Sequence, residues 1–391
     1  MSFERICSFT PVAQQLFESV SSRVFSVTPA SIGFPDAGGL STYYEGDITK
    51  DEIKNVTDFL MSRGYMLQNT RLIKRTSKDS LQTTYIVRIA SEAKAPPTDK
   101  LEIFSPLDFQ EGAVIEFSFG DYAQDMAGIR QSLRRAAQFA EGETSLEHLR
   151  FLDEFFRSGD IQADIKASAA WVKSSTQTVE ANFGFLSGYR DPTGVRRSME
   201  AIIAIRDQTK VRALNSLIGI AEDLLGSMPW VVAQDKHGEG RFGAFELPHY
   251  VQPEFMSLNL VSLAAHQCWS AMIGPTYQNI RDTVGKKNLY FENCVAATSA
   301  KDFPFLHTED LDIFLAQYNY CNTVMILTHE LIGHGCGKIL SETAPSVYNF
   351  DIDDLPRNTL CHTAKTALDL QETIDWSYTY APNSLRPNPL V

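Results

Sequence analysis

The residues with the most to say about chemistry are Thr328-His329-Glu330-Leu331-Ile332-Gly333-His334-Gly335, which come after the apolar run Val324-Met325-Ile326-Leu327. Two histidines with a glutamate beside the first suit a metal. Imidazole nitrogens hold zinc, and the carboxylate takes a proton from the attacking water and later passes it to a leaving amine. His329 and His334 are therefore candidate metal ligands and Glu330 a candidate general base. Their spacing is i to i+5. At about 100° per residue the two rings would stand roughly 140° apart on a regular helix. A one-residue bulge near Gly333 would return them to one face, and glycine eases such a distortion. The plain alternative is two histidines flanking a glutamate by coincidence. With eight histidines in 391 residues, that pattern would arise on the order of once per hundred such chains.

The elements that must position this motif can be read from periodicity. Leu311–Gly335 reads as one helix that carries it. Far upstream, Thr49 with Glu52 makes a capping box for a helix whose Ile53, Val56, Phe59 and Leu60 share a face, and Gly64 is placed to end it. Thr70–Lys74, Thr83–Ala90 and Ala113–Phe119 read as strands; the second alternates Tyr85, Val87 and Ile89, and the third has Val114, Phe117 and Phe119 as its bulky members. From Asp125 the period turns helical. Asp125–Glu141 and Thr144–Gly159 are amphipathic, the latter with a Thr144/Glu147 capping box, and Ser198–Leu225 reads as a long helix. Trp230–His249 is loop-like, and Phe255–Ala265 fits either a strand or a helix. The fold class expected is α+β, with a helical later part.

At roughly 150 residues per domain the length allows about two to three domains. Thirty-five Lys and Arg against 48 Asp and Glu leave a charge of −13, which argues against a nucleic-acid partner, since phosphate contacts need a clustered basic face. The six cysteines are scattered without a C-x-x-C pair, so neither a disulfide scaffold nor a zinc ribbon is expected. No apolar stretch approaches the roughly 18 to 20 residues of a membrane span, and no signal-peptide core is visible. A cytoplasmic location and no membrane partner are the default expectations.

His329-Glu330-Leu331-Ile332-Gly333-His334-Gly335-Cys336-Gly337-Lys338 resembles the H-E-L-L-G-H-G-S-G-K signature of the dipeptidyl-peptidase III family of zinc exopeptidases. Leu40-Ser41-Thr42-Tyr43-Tyr44, Gly120-Asp121-Tyr122-Ala123 and Gly184-Phe185-Leu186-Ser187-Gly188-Tyr189-Arg190-Asp191-Pro192 resemble further family segments in the same order. The motifs run from about Gly38 to about Leu355, whereas Arg357–Val391 looks unlike the corresponding part of the family. The resemblance implies a zinc-dependent enzyme that removes dipeptides from the free amino end of short peptides. It also implies two lobes with a cleft between them: a lower α+β lobe with a small β-barrel over residues 1–205, and a mainly helical upper lobe over 206–391, with strands of 250–300 able to return to the lower one. By the same resemblance His329 and His334 bind zinc, Glu330 is the base, and Tyr189 steadies the tetrahedral intermediate. The chain is expected to act as a monomer.

Three departures from the family pattern stand out. The family's third zinc ligand comes from a Glu-Glu motif, yet this chain has no Glu-Glu pair, and only Glu342 and Glu372 come after His334. The family glutamate that receives the substrate's amino group aligns with Ser187. Its backbone-holding asparagines are missing around Ile273-Gly274-Pro275-Thr276-Tyr277. Glu372, in a short helical pattern over Leu368–Trp376, is a weak candidate third ligand, and a solvated amphipathic end is the plainer reading of that stretch. Cys336 reads as a packed thiol rather than a nucleophile. A second functional reading is therefore a catalytically impaired family member, a binding protein or a mis-assembled gene product.

Overall fold

Chemistry at residue 329 depends on a long chain of local decisions, most of which are visible in the computed structural model. It describes residues 11–24, 32–77, 82–95, 109, 112–174, 177–187, 190–220, 223–224, 254–265, 268–295, 303, 305–330, 342–344 and 347–348. In chain order the elements are α1 (Pro11–Val24), β1 (Tyr44–Glu45), α2 (Lys50–Ser62), β2 (Thr70–Thr76), β3 (Thr83–Ala90), β4 (Ala113–Asp121), α3 (Ala123–Ala136), α4 (Glu143–Ser158) and α5 (Ile161–Lys173). Then come β5 (Val179–Ser187), β6 (Ser198–Arg206), α6 (Gln208–Ile218), β7 (Glu254–Ala264), β8 (Ala271–Gly274), α7 (Gln278–Thr283), β9 (Lys287–Phe291), α8 (Glu292–Val295), α9 (Leu311–Thr328), β10 (Glu342–Ala344) and β11 (Val347–Tyr348). The class is α+β, as expected.

The chain divides into two compact units. The first comprises residues 1–89, 98–118 and 187–197 and holds a sheet of order β1-β2-β3-β4. Its helix α2 opens as the sequence dictates: the Thr49 hydroxyl accepts from the Glu52 N–H while the Glu52 carboxylate accepts from the Thr49 N–H. Gly64, at φ +84°, closes it. Ile53, Val56 and Leu60 are buried against Leu72, Tyr85, Val87 and Ile115.

The second unit holds the sheet β5-β6-β7-β9-β8, with α4 and α5 beside it. Here two readings of the sequence fail. Ser198–Arg206 is a strand, not the start of a long helix. Glu200, Ile202, Ala204 and Arg206 alternate as its buried residues, and because two of these are charged, hydropathy conceals the period of two. Helix α6 begins only at Gln208, where the Asp207 carboxylate accepts from the Thr209 and Lys210 N–H groups. The second failure is the Thr144/Glu147 capping box. Helix α4 starts one residue sooner, from Gly142 at φ 90°, without a side-chain cap. Phe255–Ala265 resolves as strand β7, running parallel to the fully buried β9. Trp230–His249 lies outside the described residues. Among the described residues no helix is long and apolar enough to cross a membrane.

The second unit is built round a buried ion pair. Lys287 of β9 lies 3.3 Å from Glu180 of β5, both 1% exposed or less. The Lys287 ammonium also donates to the Ser174 carbonyl that ends α5 and sits 4.8 Å above the Trp171 ring. Glu180 in turn accepts from the Trp171 indole and, at 2.9 Å, from the Gln177 amide. Burial pushes the Glu180 carboxyl upward while Lys287 pulls it back. Removing one partner of such a pair leaves an uncompensated buried charge. We expect Lys287→Met to lower unfolding stability by about 3 kcal/mol or more in urea titrations, and the double variant with Glu180→Gln to recover much of that loss. A loss of less than ~1 kcal/mol in the single variant would contradict this picture.

Two further buried groups set a pH dependence. The His148 Nδ1–H donates to the Ala167 carbonyl, 2.9 Å away, and burial lowers the pKa of the ring to about 4. Asp164 accepts from the Tyr277 phenol at 2.5 Å, and burial raises its pKa to about 7. The stability due to neutral His148 is full above its unfolded value of 6.5 and is lost as pH falls toward 4. That due to protonated Asp164 is full below 3.8 and is lost as pH rises through 7. Between these limits the two slopes oppose each other. In Asp164→Asn the His148 slope stands alone, so unfolding stability should rise from pH 4.5 to 6.5 more steeply than in the parent, by at most about 1.4 kcal/mol per pH unit. Parallel slopes in urea titrations across this range would refute the assignment.

Candidate metal site

Helix α9 delivers the His–Glu pair. Phe303 packs edge-on against Phe314 and Tyr318, with ring centres 4.9 and 4.8 Å away. Further along, the Thr323 hydroxyl lies 2.9 Å from the Tyr290 phenol of β9, so the helix is fastened to the central part of the sheet. Near its end the Thr328 hydroxyl turns back on the Val324 and Met325 carbonyls, at 2.8 and 3.0 Å. Such back-bonding competes with the helical ladder and bends it. The His329 N–H is shared between the Met325 and Ile326 carbonyls, and the chain opens into a π turn at His329–Glu330. Among the described residues the helix is thus irregular at His329–Glu330, and the bulge expected near Gly333 falls outside them. Gly333 and His334 lie outside the described residues, as do Tyr189, Cys336, Glu372 and the Leu368–Trp376 stretch.

The pair itself is asymmetric: His329 is exposed and Glu330 is buried. Glu330 Oε2 has no hydrogen-bond partner among the described residues. Burial pushes this carboxyl up to about 7, while the charge of Arg281 on α7 works in the opposite direction. Nothing in the sequence pointed to Arg281, because its proximity comes from the packing of α7 and not from spacing along the chain. A buried carboxylate oxygen without a partner calls for a proton, a water or a cation. The His329 imidazole suits zinc, and the Glu330 carboxylate beside it suits the part of a proton acceptor. Among the described residues no group of three or more His, Cys, Asp or Glu converges to complete a metal site.

In the first unit, two of the segments singled out in the sequence meet. The Tyr44 phenol donates to Asp191 Oδ1 at 2.5 Å, and the same aspartate accepts from the Thr193, Val195 and Arg196 N–H groups at 3.0, 3.0 and 2.7 Å. Arg196, fully buried, reaches Tyr44 and Thr57 with one terminal nitrogen and stacks 5.2 Å over the Tyr44 ring. Asp191 is thus the knot of the turn that comes after Tyr189. In the Gly120-Asp121-Tyr122-Ala123 segment the chain passes from the end of β4 to the start of α3 through Tyr122, with Gly120 and Tyr122 both at positive φ. A Cβ on Gly120 would come within 2.9 Å of the Lys94 side chain.

The model of Peptidase family M49 matches residues 16–384. The chain belongs to peptidase family M49. The match is wider at both ends than the motif-bearing stretch from Gly38 to Leu355 and takes in most of the residues after Arg357. Curated relatives include dipeptidyl peptidase 3 of Mus musculus, 30% identical over 346 residues (86% of this chain and 45% of the relative), and of Homo sapiens, 29% identical over 362 residues (89% and 47%). The chain spans about half the length of these relatives. Among solved structures, DPP III from Caldithrix abyssi superposes with a TM-score of 0.53 at 18% identity, over 86% of this chain and 58% of that one. A dipeptidyl-peptidase III from Corallococcus gives 0.50 at 18% identity, over 79% and 50%.

The Asp191 knot gives this M49 chain a graded test. Asp191→Ala leaves the Thr193, Val195 and Arg196 N–H groups and the Tyr44 and Thr193 hydroxyls without their acceptor and should cost about 3 kcal/mol or more in urea unfolding, whereas Tyr44→Phe, which removes one hydroxyl, should cost about 1–2 kcal/mol. The reverse order would refute the placement of Asp191 at the centre of the turn.

Proposed function

We propose that this M49 chain serves dipeptide release from the amino end of short peptides, with zinc held by His329 and His334. The observation that carries the reading is the buried Glu330 carboxylate, one oxygen unpartnered among the described residues, beside an exposed His329 at an irregular helix end in a chain of this family. Zinc, when bound, supplies Lewis acidity toward the scissile carbonyl. Glu330 takes the proton of the attacking water and hands it to the departing amine; its burial keeps the carboxyl near the pH at which it must both accept and release a proton. The Tyr189 phenol donates to the oxygen of the carbonyl under attack, which requires Tyr189 and Glu330 to face one cleft. In this proposal the lower lobe takes residues 1–205 and the mainly helical lobe 206–391. Strands β7 to β9, which join β5 and β6 in one sheet, support the return of part of 250–300 to the lower lobe. The setting proposed is cytoplasmic, with a monomeric chain and peptide partners.

A second reading, binding without turnover, is favoured by one specific feature: two imidazoles are one protein ligand short of an ordinary catalytic zinc site. Zinc titration followed by assay on a dipeptidyl-arylamide separates the two. If the site works, His329→Ala loses zinc, Glu330→Gln keeps zinc and loses about 10²–10⁴-fold in turnover, and loss of both properties in Glu372→Ala or Glu342→Ala would name the third ligand. Weak zinc binding with no dipeptide release in the parent chain would establish the second reading. Unchanged turnover in His329→Ala would end both.

A further inference from the structure

Outside the helix that carries the His–Glu pair, the second unit brings together two cysteines that are 26 residues apart in sequence. Cys268 Sγ lies 3.1 Å from Cys294 Sγ, and both are free thiols. The approach is built by the sheet. Strands β8 and β9 run antiparallel with Ala271 opposite Tyr290, and the ladder continues one step to the Phe291 N–H on the Ser270 carbonyl at 2.9 Å. Cys268 comes two residues before Ser270, and Cys294 three residues after Phe291, on α8, which follows β9 directly. Asn293 is itself fixed, exchanging hydrogen bonds of 2.9 and 2.8 Å with the Leu260 backbone of β7. Glu292 on the other side of it accepts from Ser257 and Lys210. The sulfur–sulfur approach is therefore held by backbone pairing and by a clamped α8, not by two loose side chains.

We infer that Cys268 and Cys294 form a reversible disulfide when the protein meets a peroxide, fastening the edge strand β8 to α8. A metal is the other use of paired thiols, but among the described residues no third His, Cys, Asp or Glu joins them. Two sulfurs 3.1 Å apart need to close by only about 1 Å to reach bonding distance. Cys268 is exposed, and Cys294 is half-buried against the core that includes Trp171 and Phe291. Burial and the neighbouring Cys268 sulfur push the Cys294 thiol up to about 12, so Cys268 is the sulfur that reacts first. Its thiolate attacks the peroxide: an S–O bond forms, the O–O bond breaks, and the departing hydroxide takes up a proton. The Cys294 sulfur then displaces the oxygen from Cys268, forming the S–S bond and releasing water with the Cys294 proton. Two thiols lose two electrons and the peroxide is reduced to two waters. Thiol reductants reverse the bond. The inference stands independently of the peptidase reading.

The test uses the whole chain treated with a modest excess of hydrogen peroxide, blocked with an alkylating agent and mapped by peptide mass spectrometry before and after dithiothreitol. The expected result is a cross-linked species joining the peptide of Cys268 to that of Cys294, lost on reduction. The thermal midpoint of the oxidised chain should rise by about 5 °C or more. Cys268→Ser and Cys294→Ser should each abolish both. Recovery of Cys268 as a sulfinic or sulfonic acid with Cys294 still alkylated, or a cross-link from Cys268 to any other cysteine, overturns the inference, and this readout needs no variant to fold.

Discussion

Lys287 and Glu180 have both left water, and a lone charge in their place would carry a desolvation penalty of several kcal/mol. The pair survives because every neighbouring element supplies a dipole to it: the carbonyl at the end of α5, the Trp171 indole and ring face, and the Gln177 amide. Gln177 is itself held by Ser145 of α4 and Ser174, whose hydroxyls donate to its carbonyl oxygen at 2.6 and 2.8 Å. A buried ion pair is weak evidence for net stability. Its geometric demand is strong, since α4, α5, β5 and β9 must all arrive in register for it to be satisfied. With β9 fixed at its first residue by Lys287, its fourth residue, Tyr290, meets Thr323 of α9, and seven residues later in the chain stands Glu330. Placement of the proposed chemistry thus descends from a charge pair in the core through one strand and one hydrogen bond.

The features legible along the chain and those hidden from it divide on the range of the interaction. The Thr49/Glu52 capping box is legible because both partners lie within one turn, and the glycine at 64 announces its own left-handed conformation. The same local grammar misleads at Thr144. There Gly142, at φ 90°, provides the entry, and the helix claims Glu143 before any hydroxyl can cap it. Strand β6 is hidden for a different reason. Its inward positions include Glu200 and Arg206, charges that a hydropathy reading assigns to solvent, so the alternation that defines the strand is masked by the residues that make it unusual. Lys287 and Arg281 carry no signal at all. Their meaning lies in partners far along the chain, Glu180 for the one and Glu330 for the other, and only the packed sheet and its helices supply those.

The candidate site shows the same division. His329, Glu330 and His334 announce themselves by type and spacing, and Asp191 sits inside a segment already singled out, although as a structural knot and not as a reactant. The knot ties the turn down: Tyr44, Thr193 and three backbone N–H groups converge on one carboxylate, so residues 191–196 have little freedom. A phenol meant to steady a developing negative charge gains most when its backbone does not have to reorganise at the moment of reaction. That anchoring supports the role proposed for Tyr189, which precedes the turn in sequence.

The i to i+5 spacing is the feature that ties sequence, helix geometry and chemistry together. On a regular ladder five residues carry the second ring about 140° away from the first, whereas four carry it only about 40°. A π turn admits one extra residue before the ladder resumes, so five residues then play the part that four play elsewhere. The turn begins at His329–Glu330, where Thr328 already competes for the carbonyls of the preceding turn. In the proposed site this distortion has a second effect. It leaves Glu330 buried with one oxygen unpartnered among the described residues, while His329 one position earlier remains exposed. In the roles proposed, a buried Glu330 would act as base and an exposed His329 as ligand, so that one irregular turn would serve both with adjacent residues.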